Sequence, residues 1–345
     1  MNTFVFALQN RPPSLIELKA LFETYNFKFN LLKSTDELII VKSNAAEDDI
    51  IKICARSSHI KDASILINEL KDLRLATLNK VNWGFVKNPF AVRVHDLLEK
   101  EHADIERRLA SPIWNYLVRA GQNPRVNLER PKTIIHFILG KKIFLTKKLW
   151  ENESGKYKKR EPNKRPSFHP TTLKPKMARL LINLARIKER ELLLDPFCGV
   201  GAIPIEADQI GIHTIASDFD PKSLSGAKAN VKFYKNFGNV NFLKCDVKDL
   251  DKHLKQVDAI ATDPPYGRSS RVGAKSLAKL YQIFLNSSAK ILKKKGHVAF
   301  LYPHYAKINK LINRKKWKTV AKSEIYAHGG LTRKILVLKL KSAKV

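Results

Sequence analysis

Apolar residues in the first seventy positions come in short runs that are separated by polar turns. The pattern predicts strands at Asn2–Leu8, Phe27–Leu32, Leu38–Lys42 and Ala63–Ile67, and helices at Pro13–Tyr25 and Glu47–Arg56. A proline near the start of the first helix fits its position, because its missing amide has no helical partner there anyway. The resulting order, β-α-β-β-α-β, is that of a ferredoxin-like unit.

Residues 76–150 have the pattern of a second α/β module. It predicts a strand at Phe90–Val94, a long helix at Glu101–Arg119 with charges along one face, and a strand pair at Thr133–Ile138 and Lys142–Leu145. The composition then changes over residues 151–166, where six of the 16 residues are Lys or Arg and almost none is apolar. Two prolines also lie in this stretch, so we expect a solvated linker.

From residue 179 onward, apolar strand patterns alternate with helical ones. Strands are predicted at Leu192–Asp195, His213–Asp218, Val240–Asp246, Ala259–Asp263 and Gly296–Tyr302. This alternation is typical of a parallel, doubly wound sheet with helices on both faces. Two further strands, Trp317–Tyr326 and Arg333–Leu340, are expected to add an antiparallel edge.

The charge of the chain points to an anionic partner. Lys and Arg number 64 against 32 Asp and Glu, which gives a formal net charge of +32. The excess is uneven, since residues 251–345 hold 22 basic and only 4 acidic side chains. Nucleic acid is favoured, because each neutralised phosphate releases condensed counterions. From charge alone, an anionic membrane surface and a generally lysine-rich surface stay open as alternatives.

Length and composition exclude several classes of protein. The 345 residues suffice for two or three domains, and 44% hydrophobic residues with a mean hydropathy of −0.28 indicate a folded, water-soluble chain. No apolar run approaches the ~20 residues of a membrane helix, and the N-terminus lacks the pattern of a secretory signal. Three cysteines without short paired spacing exclude a disulfide framework and a cysteine-rich zinc site. We expect a cytoplasmic protein without a bound metal.

The first motif with chemical meaning is the loop Asp195–Gly201, between the strand Leu192–Asp195 and a predicted helix Ala202–Ile210. Its two glycines let the backbone approach a ligand closely, at the edge where α/β sheets bind cofactors. A dinucleotide-binding loop needs a third glycine where this chain has Pro204. Glu206, near the start of the helix, would also repel a pyrophosphate. The loop therefore suits a nucleoside cofactor without phosphates.

Two further carboxylates end the next two strands. Asp218 lies 23 residues after Asp195, where its carboxylate can accept hydrogen bonds from both ribose hydroxyls. Asp246 ends the third strand, where an acidic group can accept from an adenine amino group. A single aspartate at a strand end is often a helix N-cap. Three of them at consecutive strand ends, behind a glycine loop, favour a cofactor site.

A fourth motif, Thr262–Gly267, indicates the reaction. Pro264 and Pro265 fix the backbone and remove two amide donors, which leaves carbonyl oxygens as acceptors. Together with the Asp263 carboxylate, such carbonyls can hold an exocyclic NH₂ group. Tyr266 supplies a flat face on which a base can stack. The alternative is a structural Pro-Pro loop with a buried aromatic ring.

These motifs resemble a known enzyme family. Asp263–Tyr266, after the loops of Asp195 and Asp218, resembles the amino-methyltransferase branch of the S-adenosylmethionine-dependent Rossmann-like enzymes. Residues 165–175 (RPSFHPTTLKP) are similar to the junction in tRNA methyltransferases with an N-terminal THUMP domain, and residues 90–94 and 126–131 resemble segments of THUMP itself. The ending TDPPYGRSS (262–270) most resembles archaeal tRNA guanine-N2 methyltransferases that act at position 10.

The resemblance implies an α/β fold in which a Rossmann-like methyltransferase domain (171–345) follows a ferredoxin-like unit (1–75), a THUMP RNA-binding domain (76–150) and a basic linker (151–170). It implies S-adenosylmethionine as the cofactor and tRNA as the partner, with no membrane and no metal; an accessory subunit stays open. Residues implied to line the cofactor are His169, Pro170, Thr171, Thr172, Asp195, Phe197, Cys198, Gly199, Gly201, Asp218, Phe219, Asp246, Val247 and Asp263.

For the acceptor side, the resemblance implies Asp263, Pro264, Pro265 and Tyr266 in catalysis, and Tyr266, Gly267 and Arg268 in holding the substrate. His169 is either a general base or an orienting residue of the junction. We interpret the thiols of Cys198 and Cys245 as small packed groups, because direct transfer to an amine needs no covalent enzyme intermediate.

The expected reaction is methylation of the exocyclic N2 of a guanine in tRNA, with guanine 10 as the first candidate. Methylation of another tRNA guanine such as position 6, a DNA amino-methyltransferase, and a non-catalytic RNA-binding protein are the alternatives. We also expect that a piece beginning near Lys164 folds and binds the cofactor but loses most activity on tRNA.

Overall fold

The structure is a computed structural model that describes residues 1–9, 11–96, 103–140, 142–153, 155–234, 238–267, 274–328 and 331–341. The chain divides into two compact units. The N-terminal unit consists of Met1–Gln9, Lys28–Ala55 and Ile60–Asn152. The C-terminal unit consists of Asn10–Phe27, Arg56–His59 and Glu153–Val345.

Helices and strands of the first 152 residues follow the predicted order with one addition, a short helix α3. They are β1 (Asn2–Leu8), α1 (Arg11–Thr24), β2 (Asn30–Ser34), β3 (Leu38–Ser43), α2 (Glu47–Arg56), β4 (Ile60–Leu70), α3 (Leu75–Leu78), β5 (Phe90–Asp96), α4 (Ala103–Arg119), β6 (Thr133–Leu139) and β7 (Ile143–Glu151).

The strands of the N-terminal unit form a single sheet. Among the described residues it has seven strands in the order β2-β3-β1-β4-β7-β6-β5. β4 pairs antiparallel with β1 on one side and with β7 on the other, which joins the two predicted modules. Its pairing on both sides also explains its length, because ladder hydrogen bonds extend the strand beyond the apolar run Ala63–Ile67.

Helix α1 packs within the C-terminal unit, although it lies between two strands of the other unit in sequence. Its Glu17 is fully buried and accepts hydrogen bonds from the Ser58 amide (2.9 Å), the His59 amide (2.9 Å) and Asn183 Nδ2 (2.8 Å). Arg56 Nε donates to Asn183 Oδ1 over 2.9 Å. The expectation that a piece beginning near Lys164 folds by itself conflicts with this packing.

The prediction of a solvated linker over 151–166 is wrong for three of its side chains, which are buried or paired with a buried carboxylate. Tyr157 is 4% exposed and Arg165 6% exposed. Arg160 Nε lies 2.5 Å from an oxygen of the buried Glu206, and Arg179 lies 2.9 Å from the other oxygen. A buried carboxylate requires such partners, so part of the basic stretch neutralises an internal charge. Glu206 is therefore not a charge that faces the preceding loop.

The C-terminal unit is built on a doubly wound sheet. Its elements after the basic stretch are α5 (Pro175–Leu184), β8 (Leu192–Asp195), α6 (Ala202–Asp208), β9 (His213–Asp218), α7 (Pro221–Tyr234), β10 (Val240–Lys244), α8 (Leu250–His253), β11 (Ala259–Thr262), α9 (Ala274–Ile291), β12 (His297–Pro303), β13 (Trp317–His328) and β14 (Leu331–Leu340).

The order of this sheet over the described residues is β10-β9-β8-β11-β12-β14-β13. The first five strands in that order are parallel, and β14 and β13 are antiparallel, as predicted. Leu193, Ala261 and Ala299 belong to a core on one face, while Leu194, Ile260 and Val298 belong to a core on the other face. The carboxyl ends of the parallel strands therefore meet at one edge.

Within the described ranges, we find no helix with both the length and the apolar character needed to cross a membrane. The same ranges contain no group of three or more His, Cys, Asp or Glu side chains arranged to hold a metal ion.

Candidate active site

The loop after β8 has the tight backbone that its glycines predict. Gly199 has a φ of 49° and Gly201 a φ of 90°, both in the left-handed region that side chains disfavour. A Cβ at Gly201 would also lie 3.2 Å from Cα of Ala227 on α7. A side chain at 201 would therefore be strained by its φ and would press on Ala227.

Asp218, at the end of β9, closes this loop. Its Oδ2 accepts from the Gly199 amide over 2.9 Å and its Oδ1 from the Asp220 amide over 3.0 Å. Each carboxylate oxygen has a second lone pair, so it can still accept a hydrogen bond from a ribose hydroxyl. The neighbouring Phe219 is 68% exposed, which leaves an aromatic face available beside the carboxylate.

Asp195 is the deepest acidic group of the site. Its Oδ1 accepts from the Thr262 hydroxyl over 2.6 Å and from the Phe197 amide over 3.3 Å, which ties the ends of the adjacent strands β8 and β11 together. Burial, with a smaller contribution from the charges of Asp218 and Asp263, raises the pKa of Asp195 to about 8, although its two hydrogen bonds oppose the rise. Burial also raises the pKa of Asp218.

Asp246 lies just beyond its strand rather than within it. β10 ends at Lys244, and the Asp246 carboxylate caps the following short helical turn by accepting from the Lys248 amide over 3.0 Å. The strand predicted to reach Asp246 is thus two residues too long, because the side chain competes for backbone donors. About half of the Asp246 side chain stays exposed (49%), whereas Val247 is 6% exposed and packs in the core.

Residues 263–267, which we call the acceptor loop, follow β11 directly. The Tyr266 hydroxyl donates to Asp263 Oδ1 over 2.7 Å, and the Tyr305 hydroxyl donates to the Tyr266 carbonyl, also over 2.7 Å. Burial raises the pKa of Asp263 to about 6, while the charge of Arg333 and the Tyr266 hydroxyl oppose the rise. Pro264 is buried and Pro265 partly buried, so the backbone of the loop is held on both sides.

The same loop turns at Gly267, whose φ is 79°. Arg268, which we predicted to hold the substrate, lies outside the described residues. We predicted that Tyr266 offers a flat face on which a base stacks. Its hydroxyl, at the edge of the ring, donates to Asp263, so the ring and that carboxylate are held together.

Two side chains of the first loop are packing groups. Phe197 meets Phe284 of α9 edge-on at 5.7 Å between ring centroids. Cys198 is 5% exposed among Ala216, Leu224 and Ala227, and burial raises the pKa of its thiol. A thiol held protonated in this way is a poor nucleophile, which agrees with our interpretation of Cys198.

Residues His169–Thr172 form an exposed turn. His169 Nδ1 lies 2.9 Å from Thr171 Oγ1, and the Thr172 amide donates to the His169 carbonyl over 2.9 Å. The residue that holds the segment before this turn is Asn230 of α7, which no local sequence pattern predicts. It is fully buried and bonds Ser167, just before the turn, as well as the Val200 carbonyl in the glycine loop. Asn230 thereby fixes the junction segment beside the loop.

The comparisons with known proteins agree with this geometry. Residues 162–335 match the family described as UPF0020, RMKL-like, methyltransferase domain. A tRNA (guanine(10)-N2)-dimethyltransferase of Methanothermobacter thermautotrophicus is 29% identical over 343 residues, covering 98% of this chain and 99% of its own. An enzyme of the same name from Pyrococcus abyssi is 30% identical over a match that covers 83% of this chain and 84% of its own. A tRNA (guanine(6)-N2)-methyltransferase of Thermus thermophilus is 30% identical over 64% of each chain.

Among solved structures, TrmN from Thermus thermophilus superposes with a TM-score of 0.52 at 21% identity, covering 98% of this chain and 100% of its own. That likeness shows the shared fold. The family match covers half of the chain, and the match to the Pyrococcus abyssi enzyme covers more than two thirds of both proteins. The chain therefore belongs to the UPF0020 family of RMKL-like methyltransferase domains and to the family of these archaeal tRNA methyltransferases.

Proposed function

We propose that this protein transfers methyl groups from S-adenosylmethionine to the exocyclic N2 of guanine 10 in tRNA, twice in succession. The observation that carries the proposal is the acceptor loop: Asp263, with Pro264 and Pro265 behind it, stands at the same sheet edge as Asp195 and Asp218. The names of the relatives from Methanothermobacter and Pyrococcus support both the position and the double methylation.

The carboxylates of Asp195 and Asp218 suit a positively charged cofactor that has no phosphate groups. Asp195 and Asp218 are buried carboxylates with raised pKa values, and no basic side chain is among the main charges that act on either of them. The ionised forms of both groups are therefore disfavoured in the free protein, and a positively charged ligand would stabilise them. S-adenosylmethionine carries a sulfonium and an ammonium group, and its sulfonium methyl is the electrophile it supplies when bound. At Gly199 the backbone of the loop faces open space, and at Gly201 the loop packs closely on α7.

Asp263 and the carbonyl oxygens of the proline pair would receive the target amine. The N2 lone pair of guanine is delocalised into the ring, so acceptors for the N2 hydrogens increase its electron density and aim it. Asp263 has a pKa of about 6 and is ionised at neutral pH, and only its Oδ1 accepts a hydrogen bond from Tyr266. The orientation of the amine and the fixed charge of Asp263 therefore account for the acceleration of methyl transfer. The N2 proton leaves after transfer, to Asp263 or to water.

A guanine within a stacked stem cannot present N2 to this cleft, so the base has to leave the stack. We assign the placement of the tRNA to the N-terminal unit, with residues 1–9, 28–55 and 60–75 as its ferredoxin-like part and 76–150 as its THUMP part. The basic C-terminal region adds binding that is independent of sequence, because its charges neutralise backbone phosphates. Such contacts select by shape which nucleotide reaches the acceptor loop.

The decisive experiment offers the full-length protein tritium-labelled S-adenosylmethionine and a tRNA transcript. Parallel transcripts carry adenine instead of guanine at position 10 or at position 6, and duplex DNA serves as a further substrate. We expect label only where guanine 10 is present, and mass spectrometry of the nucleosides to find dimethylguanosine. Label lost on changing position 6 would favour the reaction named for the Thermus relative, and label in DNA would refute the proposal.

A further inference from the structure

Arg333 reaches the site from the distant end of the chain. It lies on β14, which runs antiparallel to β12, and is paired with Pro303, the last residue of β12. β12 in turn runs parallel to β11, whose carboxyl end leads into Asp263. The sheet thus brings a basic side chain, about seventy residues later in sequence, to the edge that holds the acceptor loop.

The guanidinium of Arg333 faces the acceptor loop. Its Cζ lies 5.7 Å from the centroid of the Tyr266 ring. Its charge also acts on Asp263 and lowers the pKa of that carboxyl. Arg333 is therefore close to both groups that we assign to the target base.

Arg333 is also incompletely satisfied. Its Nε is buried and has no hydrogen-bond partner among the residues that the structure describes. A buried donor without a partner is unfavourable, because the hydrogen bonds it made to water are not replaced. At the edge of a binding site, a ligand atom can supply the missing acceptor.

The neighbouring Lys334 shows the difference from an ordinary surface charge. Its Nζ lies 2.7 Å from Glu324 on the adjacent strand β13. Because successive residues of a strand point to opposite faces, Lys334 is turned away from the face of Arg333. Lys334 thus provides a matched basic control on the same strand.

We propose that Arg333 is a specificity-determining residue, which donates to O6 of the target guanine while Asp263 holds N2. This inference rests on the proposed function. A guanidinium can only donate hydrogen bonds. Guanine presents the acceptor O6 where adenine presents an amino donor, and arginine is the side chain that most often reads this difference.

The placement of Arg333 allows both contacts at once. Its guanidinium lies over the Tyr266 ring and its charge acts on Asp263. A base beside that ring with its amino group on Asp263 would have the guanidinium at the same edge. N2 and O6 belong to the same edge of guanine, so one residue can hold the first while another reads the second.

The test uses tRNA assembled from synthetic fragments with guanine, 2,6-diaminopurine or 2-aminopurine at the target position. All three bases carry the 2-amino group. Diaminopurine replaces O6 by an amino donor, and 2-aminopurine has hydrogen there. Initial rates give kcat/KM for the wild type, Arg333→Gln, Arg333→Lys and Lys334→Ala, at a pH of about 8.5 so that Asp263 is ionised.

We expect the wild type and Lys334→Ala to prefer guanine over both analogues by about 10- to 100-fold. Arg333→Gln should lower the rate on guanine and bring guanine and diaminopurine within about threefold, because an amide both donates and accepts. Arg333→Lys keeps a donor and should retain the preference.

Equal losses of Arg333→Gln on all three substrates would overturn the inference, since a structural or purely electrostatic role does not depend on O6. Wild-type protein that methylates guanine and both analogues equally well would overturn it too, whatever the stability of the variants. Wild-type protein that methylates no guanine-containing tRNA refutes the proposed function instead. The two failures are therefore distinguishable.

Discussion

Asn230 and Ser167 are joined by two hydrogen bonds, one in each direction. Asn230 Oδ1 accepts from the Ser167 amide over 2.8 Å, and Asn230 Nδ2 donates to the Ser167 carbonyl over 2.9 Å. The same Nδ2 donates to the Val200 carbonyl over 2.8 Å. One buried amide therefore connects the junction segment with the glycine loop. It can hold the His169–Thr172 turn at the methionine end of the cofactor.

Asn230→Ala should weaken cofactor binding more than it slows the chemical step. The variant removes the hydrogen bonds to three partly buried backbone groups, at about 1 kcal/mol each. We expect KM for S-adenosylmethionine to rise at least tenfold while kcat changes by less than about threefold. Steady-state kinetics on tRNA measure both. Asn241→Ala, at an exposed position of β10, is the control. A loss of thermal stability with unchanged KM would show that Asn230 is structural only.

Asp263→Ala should abolish methyl transfer and leave cofactor binding within a few-fold. The carboxylate belongs to the acceptor loop, and losing a charged acceptor and the alignment it gives raises the barrier by ~3 kcal/mol or more. That corresponds to a rate loss of about 10²-fold or worse. Single-turnover rates and calorimetric titration with S-adenosylhomocysteine separate the two effects. Substantial turnover by this variant would contradict the assigned mechanism.

Asp218→Ala should show the opposite pattern. The variant loses two expected ribose hydrogen bonds to a charged acceptor, worth about 1.5–3 kcal/mol each, and also the bond that closes the loop at Gly199. Calorimetry should find the dissociation constant for the cofactor raised at least tenfold. Asp220→Ala is the matched control, because Asp220 bonds Ser223 at the start of α7 rather than the loop. Equal constants for wild type and Asp218→Ala would remove Asp218 from the site.

Binding of the cofactor should release protons at pH 7. The pKa of Asp195 is raised to about 8, so this carboxyl is largely protonated at pH 7 in the free protein. A bound cation favours the ionised form and lowers that pKa, which expels the proton. Affinity should therefore increase as the pH rises from about 6 to 8. Calorimetry in buffers of different ionisation enthalpy counts the protons. The release should vanish in Asp195→Asn and persist in Asp246→Asn, and a buffer-independent heat for the wild type would contradict the expectation.

Glu17→Gln should destabilise the C-terminal unit although it lies far from the site in sequence. Glu17 is fully buried and accepts from the Ser58 and His59 amides and from Asn183. The glutamine side chain presents an NH₂ group where the carboxylate had an accepting oxygen. Some of these hydrogen bonds are therefore lost, at a cost of about 3 kcal/mol. Urea unfolding measures the loss. Glu23→Gln is the control on the same helix, because the Glu23 side chain is 41% exposed and forms a surface ion pair with Arg186, whose loss should cost under about 0.5 kcal/mol. Equal midpoints for both variants would refute the coupling.

The parallel sheet was predictable because each of its strands is a local apolar run. β8 and β9 begin and end at the predicted residues, and the predicted aspartates of the first two strands do meet at one edge. Asp246 was placed in its strand because a cap and a strand end have the same local sequence, and only hydrogen bonding tells them apart. The acceptor loop was predictable for a similar reason, because its two prolines restrict the backbone locally and can be recognised in the sequence.

What could not be predicted depends on contacts between distant segments. Asn230 and Arg333 are single polar residues within a helix and a strand, and nothing in their neighbourhood distinguishes them from solvated side chains. Arg160 was assigned to a linker because its partner Glu206 is 46 residues away. The joining of β4 to β7 also follows from no local pattern, because pairing between modules is decided by the whole sheet.

The interleaving of the two units has a consequence for how such a protein can change over time. The chain passes between them five times, and helix α1 and residues 56–59 each enter the C-terminal unit from within the other unit's sequence. Recombination at one breakpoint near residue 153 would therefore import a foreign α1 to lie against the resident α5. A different N-terminal segment could therefore replace residues 1–152 only if it also supplied a helix that packs on α5.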